Sequence, residues 1–170
     1  MQNAMCSADR KSLTVWGFSV PTGCLTQKEI EYLLALPKEL PNVQWVWQEM
    51  DRIWDALQLN NHKVLSEEHI IEFYRHPVWL MNGIFTALDP ISASHRNAIA
   101  RFIAESRELV IGDYGGGFGE LARLISKSSP NATVSIIEPY PSQFGRDRIR
   151  GEPRIKFVPD LSPGGYGVIV

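Results

Sequence analysis

The residues best suited to chemistry gather behind one short apolar run. Leu109-Val110-Ile111 leads into Gly112-Asp113-Tyr114-Gly115-Gly116-Gly117-Phe118-Gly119, and a helical pattern starts at Glu120. A β-branched run, a glycine cluster and then a helical period predict a strand, a turn and a helix. Glycine permits the positive φ angles such a turn needs, and its missing Cβ lets backbone approach a ligand closely. Four glycines within five positions are more than a ligand-free connection requires. Two more acids stand at the ends of apolar runs, Glu138 after Thr133–Ile137 and Asp160 after Ile155–Val158. A carboxylate at a strand end can accept hydrogen bonds from two adjacent hydroxyls at once.

The charges around this turn discriminate between ligands. A dinucleotide turn calls for G-x-G-x-x-G, but the sixth residue from Gly115 is Glu120. Counting from Gly117 gives G-x-G-x-x-A ending at Ala122, which begins late in the turn. A pyrophosphate would also sit on the helix N-terminus, where Asp113 and Glu120 would repel it. A ligand carrying a sulfonium and an ammonium, with no phosphate, suits an acidic strand end better.

Val110-Ile111-Gly112-Asp113-Tyr114-Gly115-Gly116-Gly117-Phe118-Gly119 resembles the first motif of class I methyltransferases, an acid followed by G-x-G-x-G. The resemblance covers Leu109 to Val170. It implies S-adenosylmethionine as cofactor, with the backbone of Gly115, Gly116 and Gly117 against its methionine part. It also implies that Asp113 helps hold the cofactor's amino group, often through water, and that Glu138 binds the ribose hydroxyls. Asp160 matches the family's frequent contact to the adenine amine, while Tyr114 either faces the cofactor or packs in the core. Methyl transfer to a small-molecule or sugar-like acceptor is the expected activity. The catalytic base is not identifiable, because in the family it often lies at or beyond the fourth strand. Two rivals remain: a non-catalytic cofactor-binding or scaffold module of the same fold, and a nicotinamide-dependent oxidoreductase.

The elements that must position these residues read as an α/β fold. All five tryptophans lie at Trp79 or earlier, whereas ten of the 13 glycines lie at Gly112 or later. Residues 1–106 are expected to form a helical N-terminal region serving as lid, dimerisation surface or support. Residues 107–170 are expected to form the first half of a Rossmann-like parallel sheet. In the front half, Thr26-Gln27-Lys28-Glu29 fits a capping box, and Pro37 closes the helix after it. Val43, Val46, Trp47, Met50, Ile53, Trp54 and Leu57 form one helical stripe. Ser66 and Ser92 are candidate caps, and Val78 to Ala87 is a candidate buried helix. Behind Leu109, strands are expected at Leu109–Ile111, Thr133–Ile137, Ile155–Val158 and Tyr166–Val170. Helices are expected at Glu120–Ser128 and within Pro141–Ile149. The family's sheet has seven strands and four are legible here, so a fragment of a longer enzyme is expected, with methyl transfer absent from the short form.

Bulk properties exclude several classes. With 44% hydrophobic and 21% charged residues, the composition is that of a globular protein. A net charge of −2 gives no basic field for nucleic acid or an anionic membrane. Arg146, Arg148, Arg150 and Arg154 are interrupted by Asp147 and Glu152, and lack the interleaved aromatics of a base-stacking surface. The four histidines have no metal-ligand spacing. No stretch reaches the run of about 18 apolar residues that spans a bilayer. Cys6 and Cys24, without a signal peptide, read as reduced thiols of a cytoplasmic protein. His76-Pro77-Val78-Trp79-Leu80-Met81-Asn82-Gly83 loosely resembles the helical extension before the methyltransferase fold in bacterial sugar-modifying enzymes, which implies a lid or a homodimer contact.

Overall fold

A computed structural model describes residues 11–60, 62 and 64–170. The chain forms two compact units that divide between Phe85 and Thr86, earlier than the change in sequence grammar at 107.

The first unit opens with a hairpin that the helical reading of the front half missed. Strands β1 (Ser12–Val15) and β2 (Phe18–Pro21) pair antiparallel, with Val15 opposite Phe18. Both turn residues have positive φ, Trp16 at 53° and Gly17 at 85°. That geometry matches the right-handed twist of a hairpin. The alternating Leu13, Val15, Phe18 and Val20 carry the period-two signal, and Val15 and Val20 are buried. A short 3₁₀ turn at Thr22–Cys24 follows. Cys24 is disulfide-bonded, not the reduced thiol expected; Cys6 lies outside the described residues.

Helices α1 (Gln27–Leu34), α2 (Val43–Ala56), α3 (Glu67–Tyr74) and α4 (Val78–Leu88) come next. Thr26 and Glu29 form the expected reciprocal capping box, while Asn42 and Ser66 cap α2 and α3 through their side chains. The α2 stripe is buried at Val46 and Ile53, but Val43 and Trp47 face solvent. The Phe73 ring meets those of Trp54, Tyr74 and Trp79 at steep angles, with centroid separations of 5.1–5.7 Å. The α4 side chains Val78, Leu80, Met81, Ile84 and Phe85 are buried, as expected for that segment.

The second unit is the α/β part. Helix α5 (Pro90–Ser106) is capped by Asp89, whose carboxylate accepts from Ser92 N–H, with Pro90 at its first position. Ser92 is therefore inside the helix, not its cap: Asp-Pro combines an N-cap acceptor with a φ preset for helix, which a serine two residues later cannot displace. The parallel sheet runs β5 (Ile155–Val158), β4 (Thr133–Ile137), β3 (Val110–Tyr114), β6 (Val168–Ile169). Helix α6 (Glu120–Ser128) joins β3 to β4, and α7 (Gln143–Arg148) joins β4 to β5. The chain then returns across the sheet to β6, so the strand order reverses beside β3, as in a Rossmann-like fold. Ile111, Val134, Ile136 and Ile155 pack with Ala100, Ile103, Leu121, Ala122 and Ile125 from α5 and α6. This core fixes β3 and α6, and with them the glycine turn between the two.

Candidate functional site at the carboxyl edge of the sheet

Register places the sequence-derived residues along one edge. Tyr114 is level with Ile137, and Ile137 with Val158. The glycine loop, Glu138 and Asp160 all begin just beyond that row. Gly115 N–H donates to Ile137 C=O at 3.0 Å, and Glu138 N–H donates to Val158 C=O at 3.0 Å. Neighbouring strands lie about 4.8 Å apart, so Glu138 stands between the glycine loop and the segment carrying Asp160.

Four glycines hold the loop, in three distinct roles. Gly115 and Gly117 have φ of 70° and 55°, and an added Cβ at either would meet no protein atom within 4 Å. Their backbones border open space, and conformation alone demands glycine there. Gly116 is different: its Cβ would overlap the Asp113 carboxylate. Gly119, the N-cap of α6 at φ 77°, would bring a Cβ within 2.9 Å of Ile136 Cδ1 and Ile149 Cγ2. The sequence reading did not single out Gly119 as a site residue; its place as the last glycine before the helix was the available signal. Phe118 is buried against Phe144, ring edge to face at 4.9 Å.

Asp113 is 4% exposed. Burial pushes its carboxyl up to about 6, and the nearby Ala122 backbone N–H opposes the rise. Its Oδ2 has no hydrogen-bond partner among the described residues. Glu138 is half-buried and accepts from Tyr140 N–H at 3.3 Å. Burial raises its pKa, and the Tyr140 hydrogen bond opposes the rise. Asp160 is exposed, and so is Tyr114, at 67%. Tyr114 thus points away from the core at the mouth of the loop.

One charge behaves differently from the sequence expectation. Glu120 is ion-paired with Arg148, so its repulsion of an anion is largely answered. The remaining arginines of that stretch are also engaged internally. Arg150 pairs with Asp147, Arg146 lies over the Phe157 ring, and Arg154 donates to Ser126 and Pro130 carbonyls. Among the described residues no group of His, Cys, Asp or Glu could hold a metal ion, and no helix is long and apolar enough to cross a membrane.

In the first unit, Tyr32 O–H donates to Glu49 at 2.8 Å, and Arg52 donates to both oxygens of the same carboxylate. Burial, reinforced by Glu49, raises the Tyr32 phenol, while burial lowers His76. His76 Nδ1 accepts from Val78 N–H at 3.1 Å, at the start of α4. These contacts tie helices together and carry no exposed reactive group.

Among solved structures, the chain is similar to an O-methyltransferase family protein from Burkholderia thailandensis. The sequence identity is 14% and the TM-score 0.48, over 69% of this chain and 36% of that one. The chain therefore spans little more than a third of that protein's length. No protein-family profile and no curated protein matches the sequence.

Proposed function

We propose that the second unit binds S-adenosylmethionine at the carboxyl edge of its sheet and serves methyl transfer to a small-molecule or sugar-like acceptor. The observation that carries this reading is the buried Asp113 carboxylate behind the turn into α6. In a dinucleotide site that helix end offers free amides to a pyrophosphate. Here the buried Asp113 carboxylate lies against the turn at Gly116 and beside the first turn of that helix. A phosphate would have to displace a buried acid, and Glu138 and Asp160 add negative charge along the same edge. A cationic ligand without phosphate meets none of these penalties.

The residues present fit such a ligand. The open backbone at Gly115 and Gly117 can lie against its amino-acid part, with Gly116 keeping the turn compact. Glu138 keeps an oxygen free beside the one receiving Tyr140 N–H, and can accept from ribose hydroxyls. Asp160 is available to an exocyclic amine, and Tyr114 stands at the mouth of the loop. The bound sulfonium supplies the methyl group and the leaving group. This chain's residues contribute binding and in-line orientation, which alone can account for much of such a rate. Calorimetric titration with S-adenosylhomocysteine and with NAD tests the reading, and tighter NAD binding would overturn it.

A further inference from the structure

We propose that the His76 imidazole is a proton-operated cap on α4: neutral, it holds the first turn of that helix, and protonated it releases it.

Pro77 has no N–H, and its fixed φ suits the first position of a helix. The next donor, Val78 N–H, donates to His76 Nδ1 at 3.1 Å. Trp79 N–H donates to His76 C=O, and Met81 N–H to Pro77 C=O, both at 3.1 Å. His76 is therefore the residue on which α4 starts, and its side chain does what Ser, Asn or Asp does at most helix starts. Val78 is fully buried, so water does not replace the ring as its partner. An imidazole accepts at Nδ1 only while that nitrogen carries no proton. Protonation removes the acceptor, leaves a buried N–H unpaired and puts a cation at the positive end of the helix.

The surroundings oppose that cation as well. Burial lowers the His76 pKa most, and Lys28 from α1 and Arg52 from α2 lower it further, against Glu49 from α2 and Glu72 from α3. The His76 ring also meets the Tyr32 ring of α1 at 88°, with centroids 5.4 Å apart. Helix α4 itself carries no charged residue. Hydrogen bonds from Arg52 hold Glu49 below the usual carboxylate range, and burial raises the Tyr32 phenol. Both therefore keep their charge state while His76 titrates. Because the folded-state value lies below the ordinary 6.5, the unfolded chain takes up the proton first as pH falls. The cap's contribution is complete above about pH 6.5 and is lost progressively below it. Val78, Leu80, Met81, Ile84 and Phe85 carry α4 into the core of the first unit, so weak acid loosens that core from one end.

Three proteins test this: the parent chain, His76→Asn and His76→Ala. Asparagine offers a cap acceptor that no proton removes. The Asp113 carboxyl of the second unit, at about 6, changes charge in the same range, so the readout is taken at single amides of α4. Amide exchange of Val78, Trp79 and Met81 is followed from about pH 8 to about pH 5 and corrected for its intrinsic pH dependence. Protection is expected to fall about tenfold in the parent, the scale of a buried amide left unpaired. In His76→Asn it should stay within about twofold throughout, and in His76→Ala it should be low at every pH. The Val78 amide shift of the parent should follow the imidazole titration. Constant protection in the parent while the imidazole titrates would overturn the proposal. A fall in His76→Asn equal to the parent's would overturn it too, by assigning the effect to another group. The parent and His76→Asn decide the question even where His76→Ala does not fold.

Discussion

Asp113 and Glu138 are both carboxylates at strand ends, yet their surroundings assign them different work. Burying Asp113 raises it from its ordinary 3.8 to about 6, which costs the fold about 3 kcal/mol at neutral pH. Because the folded-state value is the higher one, the unfolded chain ionises first as pH rises. Stability should therefore fall between about pH 4 and 6 and level off above. Asp113→Asn should remove that slope and be no less stable than the parent at pH 7. Urea midpoints across this range would show it, and a slope unchanged by Asp113→Asn would mean that folding does not shift this carboxyl. Glu138 is half-buried with an oxygen to spare. Glu138→Ala should weaken S-adenosylhomocysteine binding by about 1.5–3 kcal/mol, the scale of a lost charged acceptor; unchanged affinity would mark it as a solvent-facing residue. Gly117→Val forces a β-branched residue to φ 55° and fills the space beside the loop. It should abolish measurable binding, and retained binding would place the ligand elsewhere.

Among the elements, legibility followed the strength of local signals. Strand β4 and helix α6 fall where the apolar runs at Thr133–Ile137 and Glu120–Ser128 put them, because burial and period agree there. The capping box at Thr26 and Glu29 is equally local, needing only four residues. The hairpin was overlooked because each strand has four residues and its turn signal is Trp16-Gly17, not Asn-Gly. Gly17→Val should lower stability by about 1–2 kcal/mol, since φ of 85° is hostile to a side chain. A thermal midpoint equal to the parent's would show that the hairpin contributes little. Helix α6 illustrates what a sequence cannot display. The buried acid beside its first turn, Asp113, comes from β3, and Arg154, just before β5, donates to Ser126 and Pro130 at its other end. Both neighbours arrive through the tertiary fold, so the glycine motif was legible while these contacts were not.

At the scale of the whole molecule, the reversal of strand order beside β3 gathers the glycine loop, Glu138 and Asp160 on one edge. The sequence announced that gathering through acids at strand ends. It did not announce that Arg148 would answer Glu120, so the case against a pyrophosphate now stands on Asp113 at the helix N-terminus. That substitution leaves one claim on which the account turns, namely that this edge prefers a phosphate-free cationic cofactor to a dinucleotide. Isothermal titration of the protein with S-adenosylhomocysteine and, separately, with NAD tests it most directly. Saturable binding of S-adenosylhomocysteine that weakens in Glu138→Ala is expected, with NAD binding weaker or absent. Tighter binding of NAD, or S-adenosylhomocysteine binding indifferent to Glu138→Ala, would contradict it.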